Sequence, residues 1–132
     1  MAANSTQNRN KSKADMKGLT AALLKGVRGS DSKREVKRED ATLYTWKATV
    51  KRDGKDVTVR VAEVIRRRAV VRLNLLHTPA GDPFAGVATA ERLDRGNRQG
   101  GVASHFKWGM QVDADTLEIA NGLLKAAVAQ AS

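Results

Sequence analysis

The chain has 132 residues, the size of one domain. Its 24 Lys and Arg outweigh 14 Asp and Glu, a formal charge of +10, so a polyanion partner is expected, with nucleic acid the first candidate and an anionic membrane surface the second. The absence of cysteine excludes disulfides, thiolate metal sites and cysteine nucleophiles, no apolar run approaches the roughly 20 residues that span a bilayer, and the polar N-terminus MAANSTQNRNKSK has no apolar segment of the kind a secretory signal needs.

Residues 1–12 offer almost nothing to bury and are expected to be disordered or ordered only by a partner. From Ser12 a helix is expected: Ser12 with Asp15 is a variant capping box, and Met16, Leu19, Leu23 and Val27 recur at helical spacing. Gly29 and Ser30 should stop it, and residues 30–40, SDSKREVKRED, read as a mixed-charge linker. In Tyr44–Lys51, Trp46, Ala48 and Val50 alternate with Thr45, Lys47, Thr49 and Lys51, the period of a strand with one buried face. Asp53-Gly54 is a hairpin turn signal. Val57, Val59 and Val61 then alternate with Thr58, Arg60 and Ala62, and, after Arg66, Arg67 and Arg68, Val71, Leu73 and Leu75 alternate with Val70, Arg72 and Asn74. Residues 77–101 read as loop, with a mobile basic stretch from Arg92 to Gly101 and an undecided short strand or helical turn at Val87–Leu93. A fourth strand is expected where Phe106, Trp108, Met110 and Val112 alternate with His105, Lys107 and Gln111. The closing helix has Asp115 as its expected N-cap and a face of Leu117, Ala120, Leu124, Ala127 and Val128.

The expected fold is α+β: an antiparallel sheet with the C-terminal helix packed on one face and an extra N-terminal helix. Residues 1–40 form a basic arm, helix and linker, and residues 41–132 the sheet and closing helix. The charge is uneven, +5 over residues 1–40, +6 over 41–76, +1 over 77–112 and −2 over 113–132, which suggests one face for a polyanion and another for protein contacts.

The polar parity of the expected strands collects Thr45, Lys47, Thr49, Thr58, Arg60, Arg72, Asn74, His105 and Lys107. The cations would take phosphates, and the neutral groups bases or sugars. Arg66, Arg67 and Arg68 fall between two strands and read as a phosphate clamp at a turn. Arg9, Lys11, Lys13 and Lys17 would thread onto nucleic acid or simply solubilise the arm. Trp46 and Trp108 could stack on bases, but their parity assigns them to the core, whereas Tyr44 at the strand start is expected to be exposed. Chemistry is poorly supported. His77 and His105 lie in no metal-ligand spacing, no nucleophile motif frames a serine, and helix capping accounts for two of Asp113, Asp115 and Glu118. No enzyme activity, cofactor, metal or small-molecule substrate is expected.

The stretch VTVRVAEVIRRRAVVRLNLL and the segment 104–130, SHFKWGMQVDADTLEIANGLLKAAVAQ, resemble the paired central strands, last strand and following helix of the coat proteins of single-stranded RNA bacteriophages. The resemblance covers residues 42–130 and rests on patterning; the N-terminal arm, helix and linker depart from the family. It implies a homodimer whose two sheets join edge to edge, with the helices of each subunit across the other. Those dimers would close into an icosahedral shell. Thr45, Lys47, Thr49, Thr58, Arg60, Arg72 and Asn74 would face genomic RNA, and the loop around Arg95–Gly101 would join dimers. RNA and further copies of the chain are then its partners, with no membrane involved, in the virion and in the host cytoplasm during assembly. The residues by themselves leave a non-viral basic nucleic-acid-binding module as the alternative. Independently of the resemblance, a sheet domain of about 90 residues with one helix buries too little of itself alone, so self-association is expected.

Overall fold

The structure is a computed structural model that describes residues 13–79, 87–93 and 105–130. The N-terminal arm before Lys13 and the loop around Arg95–Gly101, both expected to contact partners, lie outside the described residues. Among the described residues, six strands form one antiparallel sheet: β1 (Ser32–Val36), β2 (Ala41–Arg52), β3 (Lys55–Arg66), β4 (Val71–Leu75), β5 (Glu91–Arg92) and β6 (Trp108–Val112). Their spatial order is β1-β2-β3-β4-β6-β5. Two helices, α1 (Lys13–Leu23) and α2 (Leu117–Gln130), pack together on one face of this sheet. The class is therefore α+β, as expected.

The hairpin β2–β3 is the longest element, and its turn is the expected one. Asp53 and Gly54 both take positive φ, 52° and 77°, as a two-residue hairpin loop requires. The pairing runs from Arg52↔Lys55 to Thr42↔Arg66 with one irregularity. Trp46 pairs with Ala62 and Lys47 with Arg60, so Val61 is an extra residue in β3, a β-bulge. β1 pairs with β2 only as far as Ser32↔Thr45, and β4 pairs with β3 only as far as Ala62↔Leu75. The stretch from Lys47 to Arg60 thus leaves the sheet as a two-stranded arm.

The core lies between sheet and helices. Trp46, Ala62, Val64, Leu73, Trp108 and Met110 meet Met16, Leu23, Ala120, Leu124 and Val128 from the helices. Both tryptophans are core residues, and the Trp46 indole N–H donates to the Arg28 carbonyl at 2.9 Å. Tyr44 is half-buried rather than exposed, with the Lys33 ammonium 5.6 Å above its ring. A smaller cluster of Val59, Leu76 and Phe106 supports the base of the arm.

Several local expectations are corrected. The charged stretch after Ser30 is not a linker. Its residues Ser32–Val36 form β1, because an edge strand can carry exposed Lys, Arg and Glu on an otherwise unpaired rim. Since β1 extends the sheet and α1 supplies Met16 and Leu23 to the core, residues 13–40 and the rest share one hydrophobic interior. Helix α1 ends at Leu23, before Val27 and Gly29, where Gly26 takes φ +77° and breaks the helical path. Residues 105–107 precede β6 instead of beginning it. At α2 the cap is Thr116, not Asp115: the Thr116 carbonyl accepts the first helical bond from Ala120 at 2.9 Å. Asp113 accepts the N–H groups of Asp115 and Thr116 at 2.9 and 3.0 Å, which shapes the turn into the helix.

The two helices are joined by a polar clasp. The last carbonyls of a helix have no partner within it. Here the Asn121 side-chain amide donates to the carbonyls of Leu23 at 2.8 Å and Lys25 at 2.9 Å. We expect Asn121→Ala to destabilise the protein by about 1–2 kcal/mol, because it strands a part-buried acceptor. Urea unfolding of the two proteins measures this; an unchanged midpoint would mean that water replaces the clasp.

Candidate nucleic-acid interface

Cross-strand partners share a sheet face, so the register sorts the candidate residues. On the face away from the helices one row runs Thr45, Glu63, Asn74, Gly109, and another Leu43, Ile65, Arg72, Gln111. Along the arm the same face carries Lys47 opposite Arg60, Thr49 opposite Thr58, and Lys51 opposite Asp56. Thr45, Lys47, Thr49, Thr58, Arg60, Arg72 and Asn74 therefore lie together on the face away from the helices. Lys47, Thr49, Thr58 and Arg60 are exposed, Arg72 and Asn74 are half-buried, and Thr45 is buried.

His105 and Lys107 are exposed and reach this region from the segment before β6. His105 Nε2–H donates to the Arg60 carbonyl at 2.9 Å, and its ring stands edge-on to Phe106 at 5.0 Å. The Arg60 guanidinium lies 5.3 Å above the Phe106 ring. Lys107 is tied in by its backbone N–H, which donates to the Leu75 carbonyl at 3.0 Å.

The three arginines separate. Arg66 is not in a turn and does not reach the open face. It ends β3 beside Thr42 and Val71 on the helix side, 7 % exposed, and its Nη2 donates to Thr42 Oγ1 at 2.7 Å. The bulge explains this. Without an extra residue, positions 60 and 66 would point the same way; with Val61 inserted they point to opposite faces. Arg67 and Arg68 are exposed at the β3–β4 turn, far along the sheet from the arm, and Arg68 lies 3.6 Å from Asp40.

The same register shift brings an unexpected carboxylate to the open face. Glu63 is 8 % exposed, accepts the Asn74 amide at 3.2 Å and lies 3.9 Å from Arg60 Nη1. Arg72 meets a second acid, Glu91 of β5, at 3.5 Å. Leu43 and Ile65 also belong to this face, so it is cationic along the arm and mixed toward β1. The sequence carried signs of the shift: Ala62 and Val64 are apolar, and Glu63 is charged, out of phase with Val57, Val59 and Val61. Gly109 lets these side chains lie close over the strand: a Cβ there would come within 2.5 Å of Asn74 Oδ1 and 3.0 Å of Arg72 Nη2 and would displace them.

The root of the arm is fixed by Asp31. Its carboxylate accepts the Lys47 N–H at 2.6 Å and the Arg28 guanidinium at 3.1 Å. The bond from Arg28, then that from the Lys47 backbone, holds the Asp31 pKa below its ordinary value of 3.8.

On the helix side of the arm an apolar groove of about 470 Å³ opens between Ala48, Val50 and Val59 of the hairpin and Leu123, Ala126 and Ala127 of α2. Among the described residues no group of three His, Asp or Glu could hold a metal ion, and no helix is long and apolar enough to cross a membrane. No family model, curated protein or solved structure matches the chain.

A depressed carboxylate pKa contributes stability that is complete above the unfolded-state value and is lost as pH falls through the folded-state value. Asp31→Asn should therefore lower stability at neutral pH by about 0.5–1 kcal/mol, an amount already reduced for a carboxylate this exposed. The difference from wild type should shrink as pH falls below 3.8. Denaturant titrations at a series of pH values measure it, and a difference constant with pH would remove Asp31 from this role.

Proposed function

We propose that this chain is an RNA-packaging coat protein of a small RNA bacteriophage, which binds genomic RNA on the open sheet face and assembles into a closed shell through copies of itself. The observation that carries the reading is the placement of Lys47, Arg60 and Arg72 on one side of the sheet, a side that no helix among the described residues covers. Thr49 and Thr58 lie farther out along the arm, and the Thr45, Glu63, Asn74 row lies between the arm cations and Arg72. Cations on a flat sheet take successive phosphates by counterion release, and the threonine hydroxyls reach sugar and base edges. Phe106 and Glu63 hold Arg60, and Asp31 anchors the strand that carries Lys47, so these cations are partly ordered before RNA arrives.

Self-association is the second half of the reading. Helix α2 leaves Ile119, Gly122 and Ala126 exposed, and Ile119 is the one large exposed hydrophobic among the described residues, at 42 %. That stripe borders the apolar groove. The start of α2 is acidic, with Asp113, Asp115 and Glu118, while the arm tip carries Lys51, Arg52 and Lys55. A second copy laid antiparallel along α2 would bring its acidic helix start to the basic arm tip while covering the groove. Subunits of one kind meeting on a two-fold axis use the same patch twice, which this arrangement satisfies.

Two measurements test the two halves. Lys47→Ala with Arg60→Ala should leave the protein folded by circular dichroism, weaken RNA binding, and flatten the log–log salt dependence by about 1.4, near 0.7 per lost phosphate contact on a single strand. An unchanged slope would take the arm out of RNA binding. For assembly, negative-stain microscopy of the protein with RNA should reveal closed particles. Ala126→Glu, a change at an exposed position, should abolish them and shift sedimentation to the monomer. If the wild type stays small under all salt and RNA conditions, the coat reading fails, and retained RNA binding would leave a small basic nucleic-acid-binding module.

A further inference from the structure

Arg66 has a feature that sheet-face binding does not use. The residue is more than nine-tenths buried, Nη2 is taken by Thr42, and the buried Nη1 has no hydrogen-bond partner. No carboxylate among the described residues forms an ion pair with it. Arginine does not lose its proton in proteins, so the charge stays and calls for a counter-ion. Arg66 lines a pocket of about 170 Å³ between α1 and the β1–β2 connection. Lys17 of α1 and Lys37 of the 3-10 turn stand at its rim, with Thr42 beside Arg66. The two acids in its wall are Glu35, which is exposed, and Asp40, which Arg68 engages at 3.6 Å. Counting Arg68, four cations face two carboxylates here.

We propose that this pocket binds one phosphoryl group, on the opposite side of the sheet from the RNA face. A tetrahedral oxyanion fits the volume. It can accept from a guanidinium at the base and from two flexible ammonium groups at the rim at the same time. A phosphate monoester and a backbone phosphodiester share this chemistry. The site does not rest on the sheet-face reading, and either can fail without the other.

The test is thermal unfolding of the full chain in sodium phosphate against sodium chloride at matched ionic strength. Phosphate at about ten times its Kd should raise Tm by about 4 °C. Arg66→Met should remove the rise. Because Arg66 is buried and its variant can misfold, Lys17→Ala with Lys37→Ala, both at exposed positions, is the second arm and should also remove it. A rise that survives both variants would be the general salting effect of phosphate and would overturn the site. So would equal Tm values in the two salts for the wild type. Dimethyl phosphate separates the sources. The same rise with this diester identifies an RNA backbone phosphate as the occupant, whereas a rise with inorganic phosphate alone identifies a free or terminal phosphate.

Discussion

The pairing of β2 with β3, and the single extra residue Val61 within it, decides what every other side chain in the sheet can do. Two strands of 12 residues each make this the longest contact in the molecule. A one-residue change of register inverts every later side chain. Before the bulge, Thr58 and Arg60 face the open side and Val57 and Val59 the helices. After it, Glu63 and Ile65 face the open side while Ala62, Val64 and Arg66 turn inward. The partner strand has no insertion, so Trp46 and Lys47 keep simple alternation, and β4 and β6 inherit the shifted frame through Ala62↔Leu75 and Leu75↔Trp108. A bulge also increases local twist and bends its strand. That accounts for the place where the arm leaves the body of the sheet.

Around this hinge the remaining polar contacts act as fasteners. Asp31 takes the Lys47 N–H just where β1 stops pairing. His105 takes the Arg60 carbonyl at the other margin of the arm. Asn121 closes the end of α1 against α2. Each satisfies a backbone group left over where a regular ladder ends, the point at which secondary structure by itself leaves donors and acceptors unpaired. The arm can therefore project from the sheet with its root ordered, although each of its two strands is paired on one edge only.

Much of the fold was legible because its causes are local. Alternation in Tyr44–Lys51, the Asp-Gly turn and the spacing of Met16, Leu19 and Leu23 follow from side-chain period and backbone preference. Seven of the nine residues of polar parity fall on one face because β2, β4 and the first half of β3 are regular. The misses have causes outside any short window. β1 carries four exposed residues, since its stability comes from pairing with β2 and not from burial. Thr116 displaced Asp115 as the cap because Asp113, two residues earlier, organises the turn. Arg66 was read as part of a turn with Arg67 and Arg68, whereas it ends β3 and faces the helices, and Glu63 was not assigned to a face; both positions depend on the bulge, which only the pairing partner reveals. Ala62, Glu63 and Val64 were the residues in the sequence that broke step.

The bulge also redistributes charge. Unbroken alternation would gather Arg60 and Arg66 on the open face and send Glu63 into the core, where a carboxylate facing apolar helices is costly. The inserted residue places Glu63 instead where Asn74 and Arg60 can satisfy it, and removes Arg66 to the far side. The open face thereby keeps its cations along the arm, over a centre buffered by an acid. Under the proposed reading a polyanion would be drawn first to the projecting arm and only afterwards to the sheet, since field strength follows exposed charge and low counter-charge. Arg66, left among the walls of its own pocket, becomes a separate electrostatic problem on the opposite side. One insertion in the middle of β3 thus links the shape of the arm, the composition of the open face and the isolation of the buried guanidinium.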